Sequence, residues 1–245
     1  ALFMILGVSL HMLPKLFKMP EIEHRRAWWG FWLLLGAVVG ETILFIAYRW
    51  SGNHALAGLL MVPWLMLGAG VLCIALPWKF WRPMPTGERS EKFVRAAYGW
   101  LGVSLVMLLA MPLYQALSGI PFSHAYFGAV RHAITVGFVS LMIMGMAARV
   151  AAMHAGVAPP ERASLMGPFV LINLGCFLRV SLQTLTDWHP VFFSVVGVSG
   201  LLEVTALAWW GGHVARLILR ARTADEPRSV VKQSTRSLGF APSPR

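Results

Sequence analysis

Runs of roughly 20 apolar residues recur along the whole chain, and each is long enough to cross a hydrocarbon core of about 30 Å as a helix. In lipid the backbone must satisfy its own hydrogen bonds, so helices are the natural solution. The composition agrees. Of the 245 residues 57% are hydrophobic and 13% charged, with a mean hydropathy of +0.65, too apolar for the surface of an ordinary soluble domain. The expected fold class is therefore all-α: a polytopic membrane helix bundle of about seven transmembrane helices, with the lipid bilayer as its main partner.

The candidate spans are residues 1–13, 28–49, 55–77, 98–118, 127–153, 164–187 and 191–219. The first run, ALFMILGVSLHML, is too short to cross comfortably, so that helix is expected to be truncated. No signal-peptide n-region or small-residue cleavage site marks the start. Residues 1–219 form one bundle in this reading. Residues 220–245, rich in Arg, Ser and Pro, have little to bury and are expected to be a disordered cytoplasmic tail.

The formal net charge of +11 does not point to nucleic acid, because the basic residues sit in alternate loops. Segments 14–27, 78–97, 149–163 and 216–245 hold eighteen of the 21 Lys and Arg residues, leaving Arg49, Arg131 and Arg179. All four segments fall on one side of the expected topology, and an excess of Lys and Arg marks the cytoplasmic side. Trp28, Trp29, Trp50, Trp78, Trp81 and Trp188 lie near span ends, where indoles anchor at the interface. Cys73 and Cys176 both fall inside apolar runs and offer neither a disulfide framework nor a CxxC metal site.

Polar groups at membrane depth are costly and call for an account. The fifth span carries Arg131 and His132 near one end and Arg149 and His154 near the other. Seventeen residues separate His132 from Arg149, about 25 Å of helix, so the two belong to opposite leaflets. His132 can ligate haem iron or copper through one ring nitrogen, or it can bond a backbone carbonyl on an adjacent helix. Arg131 and Arg179 suit an anionic group such as a haem propionate, or else Arg179 pairs with Asp187 or both arginines snorkel outward. Arg149 is expected to snorkel to the cytoplasmic headgroups. His11, His154 and His213 stand at the same ends of their spans and form a metal cluster only if those helices are neighbours.

Glu41 and Glu203 fall near the middle of the second and seventh spans. Carboxylates there serve proton paths, or bond to polar neighbours such as Asn173 or Thr205. Met142, Met144 and Met146 read as gap fillers, with copper(I) binding the less common use of such thioethers. Gly137, Ser140, Gly145 and Ala148 are small enough to admit a neighbouring helix.

The stretch RHAITVGFVSLMIMGMAARVAAMHAG resembles the signature of the NnrS family. Its elements here are His132-Ala133, Gly137, Met142 to Met146, Arg149-Val150 and His154-Ala155-Gly156, followed by Leu178-Arg179-Val180 and a last span with Trp209 and Trp210. The resemblance covers roughly residues 124–219. It implies a bacterial inner-membrane protein that binds haem and copper and acts in the response to nitric oxide, with nitric oxide or another small diatomic as ligand. It implies His132 as a haem or copper ligand, with His154 and His11 as further metal candidates. Arg131, Arg149 and Arg179 are the cofactor-binding arginines on this reading.

Two other functions fit the residues. A metal-free proton- or ion-coupled transporter would use Glu41, Glu203 and Arg179. An oxidase or nitric oxide reductase subunit fits less well, since the adjacent histidine pair expected of a binuclear centre is absent from the sequence.

Overall fold

The computed structural model describes residues 2–120 and 122–237, with side chains described up to Ala221 except those at 54, 55, 57 and 160. The helices in chain order are α1 (Leu2–Phe17), α2 (His24–Ser51), α3 (His54–Leu59), α4 (Met61–Ala75), α5 (Glu91–Leu109), α6 (Met111–Ser118), α7 (His124–His132), α8 (Leu141–His154), α9 (Met166–Leu185) and α10 (Val191–Ser237). No strand occurs among the described residues. Six helical stretches are long and apolar enough to cross a membrane: His24–Ser51, Met61–Trp78, Glu91–Leu109, His124–His154, Met166–Leu185 and Val191–Ala221. With the short apolar α1, they match the seven expected spans of a multi-pass membrane bundle. Of the expected tail over residues 220–245, the side chains from 222 and the backbone from 238 lie outside the described residues.

Local chemistry explains the helix ends. Gly52 closes α2 in the left-handed conformation at φ 64°, its N–H donating to Tyr48 O at 2.9 Å. Gly119, at φ 69°, closes α6 in the same way. The span expected at 98–118 is broken at Ala110 because Pro112 opens the short α6.

The fifth span, His124–His154, is the centre of the bundle. Half of its apolar window is buried, against 17% for α2 and for the membrane-length part of α10. α5 packs against it from one side and α9 and α10 from the other, while α2 pairs with α4 on the outside. Small residues set these approaches. A Cβ on Gly137 would stand 2.5 Å from Trp100 Cγ, and one on Gly145 would stand 2.9 Å from Phe93 Cβ, so α5 can lie close only because both positions lack one. Met142 and Met144 are both buried in the core, as gap-filling methionines should be.

Between α7 and α8 the central helix is not α-helical. Residues Ala133–Ser140 form a π-helical segment that begins immediately after His132. The wider turn leaves Ser140 Oγ donating to Thr135 O at 3.1 Å, five residues back. Such segments re-aim the side chains beside them and are concentrated at functional sites.

The four basic segments meet at one end of the bundle. Trp78 donates its indole N–H to Pro20 O at 3.1 Å, Arg149 covers the Phe17 ring, Arg162 meets Glu88, and Arg220 lines the same cleft as Arg149. The alternation of charge along the sequence is thus matched in space. Two expectations about this end need correcting. Trp78 is buried, with 3% exposure, because its N–H closes the loop onto α1's exit; Trp28, Trp29, Trp50, Trp81 and Trp188 are exposed, as expected of anchors. Arg149 does not snorkel: it is 8% exposed, held between Phe17 and Glu88.

Candidate functional site

His132 is positioned from both ends of α7. At the start, Ser123 caps the helix, its Oγ accepting from Tyr126 N–H at 2.8 Å. The Ser123 hydroxyl also donates to Asp187 Oδ2, which accepts from the Tyr114 hydroxyl at 2.6 Å as well. Tyr126 in turn donates to Met107 O at 2.7 Å. α7 is thereby tied to α5, α6 and the α9–α10 turn. Asp187 is engaged here by Tyr114 and Ser123, and no ion pair joins it to Arg179 among the described residues.

At the other end of α7, His132 Nε2 lies 2.7 Å from Glu203 Oε1 on α10. The pair is mostly buried, with side-chain exposures of 19% and 11%. A glycine makes it possible. Gly175 of α9 stands where any Cβ would come within 2.7 Å of Glu203 Cγ, so the carboxylate lies across the bare backbone of α9 to reach α7. Of the alternatives weighed for His132, the backbone carbonyl is replaced by a carboxylate. For Glu203, neither Asn173 nor Thr205 is the partner: Asn173 accepts from Trp100 Nε1 at 2.9 Å, and the Thr205 hydroxyl donates to Leu201 O at 2.7 Å. The second ring nitrogen of His132, Nδ1, has no hydrogen bond among the described residues.

The remaining sequence candidates are dispersed. Arg131 is exposed on α7. Arg179 on α9 is half-buried, and its Nε is buried without a hydrogen-bond partner among the described residues. Glu41 is exposed on α2 and accepts only a long contact, 3.4 Å, from Trp64 Nε1. His11 is exposed and bonded to Lys15 Nζ at 2.8 Å; His154 is exposed at the end of α8; His213 lines a cleft between α8 and α10. No three His, Cys, Asp or Glu side chains converge among the described residues. The histidines at 11, 154 and 213 are therefore not brought into one metal-holding group.

The residues around His132 are of the kinds that hold a haem. A ligating imidazole usually gives its other nitrogen to a carboxylate, which fixes the ring and raises its basicity. His132 has that carboxylate in Glu203 and a second nitrogen without a protein partner. The orphaned Nε of Arg179 is a buried donor of the kind a propionate would satisfy. No group of three His, Cys, Asp or Glu side chains that would hold copper converges beside His132 among the described residues.

Sequence reasoning missed a second cluster, at the basic end. Glu88 is 8% exposed and accepts from Arg162 Nη1 at 2.6 Å, while Arg149 Nη1 stands 3.6 Å from the same oxygen. Arg89 donates to Arg162 O at 2.6 Å, stitching the loop before α5 to the loop after α8, while Arg162 Nε donates to Val157 O at 3.3 Å within the latter loop. Loop charges read as solvated in a sequence. The signal available was Glu88 itself, one of few acids in a strongly basic segment.

No curated protein and no solved structure matches the chain. The model of the NnrS protein family matches residues 1–222, which extends the likeness beyond the 124–219 stretch that carries the signature and takes in α1 to α6 as well. The chain belongs to the NnrS family.

Proposed function

We propose that this protein is a haem-binding membrane protein of the nitric oxide response, set in a bacterial inner membrane with its basic end toward the cytoplasm. The observation that carries the reading is the His132–Glu203 pair in the packed core of the bundle. Membership of the family fits a part in nitric oxide handling, and the basic segments gathered at one end fit the stated orientation.

When bound, a haem would supply an iron able to take a small diatomic such as nitric oxide, with His132 as its protein ligand. The chain's own part is to hold and tune. Glu203 fixes the ring plane and tautomer of His132 and makes its free nitrogen a stronger donor. Arg179, with a buried nitrogen lacking a partner, and Arg131 on the neighbouring helix are the guanidiniums for the propionates. The His132 side chain is 19% exposed, so most of the imidazole is shielded by the helices around it. Arg149, at the opposite end of the span, takes no part in this site.

The test is optical. The intact gene product, purified from haem-replete cells, should show a Soret band that His132→Ala abolishes or strongly weakens, with the variant still folded by circular dichroism. A colourless wild-type preparation would remove the reading.

One observation favours a second reading: the imidazole and carboxylate share a hydrogen bond at membrane depth, as groups in proton paths do. Glu41, on the outer helix α2, bonds to Trp64 instead and does not extend that pair. Proton-coupled flux in liposomes that needs Glu203 but no cofactor would favour this alternative.

A further inference from the structure

We propose that the basic end of the bundle holds a binding site for a phosphoryl oxyanion, with Arg149 and Ser90 as its donors. The site is separate from His132, which lies seventeen residues up the central helix from Arg149, roughly 25 Å away.

The cleft between the start of α5, the end of α8 and α10 has a volume of about 150 Å³, far more than one water requires. It is lined by Glu88, Arg89, Ser90, Arg149, Arg162 and, from α10, Arg220. Two of its lining side chains carry buried donors without hydrogen-bond partners among the described residues. Arg149 is 9% exposed at its side chain, and neither its Nε nor its Nη1 makes a hydrogen bond; Nη1 reaches Glu88 only at ion-pair distance, 3.6 Å. The Ser90 hydroxyl is likewise buried and unpaired. A buried donor left unmade costs the full desolvation of that group, so two in one cleft signal a ligand that accepts hydrogen bonds.

Charge and geometry select the ligand. Glu88 Oε1 accepts a hydrogen bond from Arg162 at 2.6 Å and meets Arg149 only as an ion pair at 3.6 Å, which leaves hydrogen-bonding capacity on the Arg149 guanidinium. Four arginines line the cleft against two carboxylates, Glu88 and Glu161, so the net field favours an anion. Ser90 stands at the N-cap of the 19-residue α5, where the helix dipole adds partial positive charge. The Phe17 ring, 4.5 Å from the Arg149 guanidinium carbon, covers that group and holds it in place. A tetrahedral phosphoryl group, with several acceptor oxygens, can span a guanidinium on α8 and a hydroxyl on α5 at once. Such a group comes either from an anionic lipid headgroup at this end of the bilayer or from free phosphate.

The full-length protein in zwitterionic nanodiscs, titrated with inorganic phosphate and followed by thermal denaturation, tests the soluble source. Native mass spectrometry of the same protein from bilayers of mixed phosphatidylglycerol and phosphatidylcholine tests the lipid source. Saturable stabilisation by phosphate, or retention of one phosphatidylglycerol per chain, is expected in at least one arm. Arg149→Gln should weaken it about tenfold or more, the loss of one charge-assisted hydrogen bond. Ser90→Ala should weaken it less, Arg149→Lys should fall between, and Arg25→Gln, at an exposed basic residue of another segment, should leave it unchanged. If Arg149→Gln fails to fold, Ser90→Ala and Arg149→Lys carry the comparison. Wild type binding neither probe, or all variants binding like wild type, overturns the site.

Discussion

A carboxylate and an imidazole that meet at 2.7 Å in a low-dielectric interior satisfy one another, and each would be costly there alone. Glu203→Ala leaves His132 Nε2 without its partner and should lower stability by about 1–3 kcal/mol, read as a drop in the thermal midpoint of the apo-protein in detergent. Glu203→Gln keeps an acceptor of the same shape and should lose less than the alanine variant. Equal losses would mean that a neutral acceptor of the same shape cannot replace the carboxylate, so that its charge carries the pair. Both residues are conspicuous in the sequence as ionisable groups inside apolar runs, yet their pairing is not legible there. Seventy-one positions separate them, and the contact depends on Gly175, which belongs to a third helix and carries no chemistry of its own. Glu88 and Arg162 were invisible for the opposite reason. They lie in loops, where charge is ordinary, and only folding buries them together.

At the scale of elements, the central helix owes its position to glycines and its aim to the π-helical segment. Gly137→Leu would drive a side chain into Trp100, whose Cγ lies 2.5 Å from the added Cβ position, at a cost of about 1–3 kcal/mol for overpacking. A substantially lower thermal midpoint than that of wild type is the expected result. Removing Thr135 would return Ala133–Ser140 toward α-helical register and turn His132 by about 100° relative to α8. Cysteines placed at 132 and 203 in a background lacking Cys73 and Cys176 should be bridged by a short bifunctional thiol reagent in the parent register and not in the deletion. Cross-linking in both would show that the π segment does not set the aim of α7. Span positions were readable within a few residues because twenty apolar residues have few other uses. The π segment was not, since AITVGFVS has no composition that separates a π turn from an α turn, and packing between α5 and α9 decides it.

For the whole molecule, the gathering of four basic segments at one end leads to a test of sidedness. Single cysteines at positions 25, 89 and 162 should react with a membrane-impermeant maleimide from one face of sealed vesicles, and those at 53 and 189 from the other. Labelling of 25 and 162 from opposite faces would break the topology. Sequence alone determined the solvent, the number of crossings and which loops share a side, because hydropathy and charge act along the chain with no need of a partner. It also held the family signature in the fifth and sixth spans. Only the tertiary structure decided what each buried polar group touches: Glu203 on His132, Asp187 on Tyr114 and Ser123, and Arg149 over Phe17 beside a cleft. Lipid exerts the same pull on every apolar helix face, so which faces meet is fixed by small residues and hydrogen bonds between distant segments, and those become definite only when the helices pack.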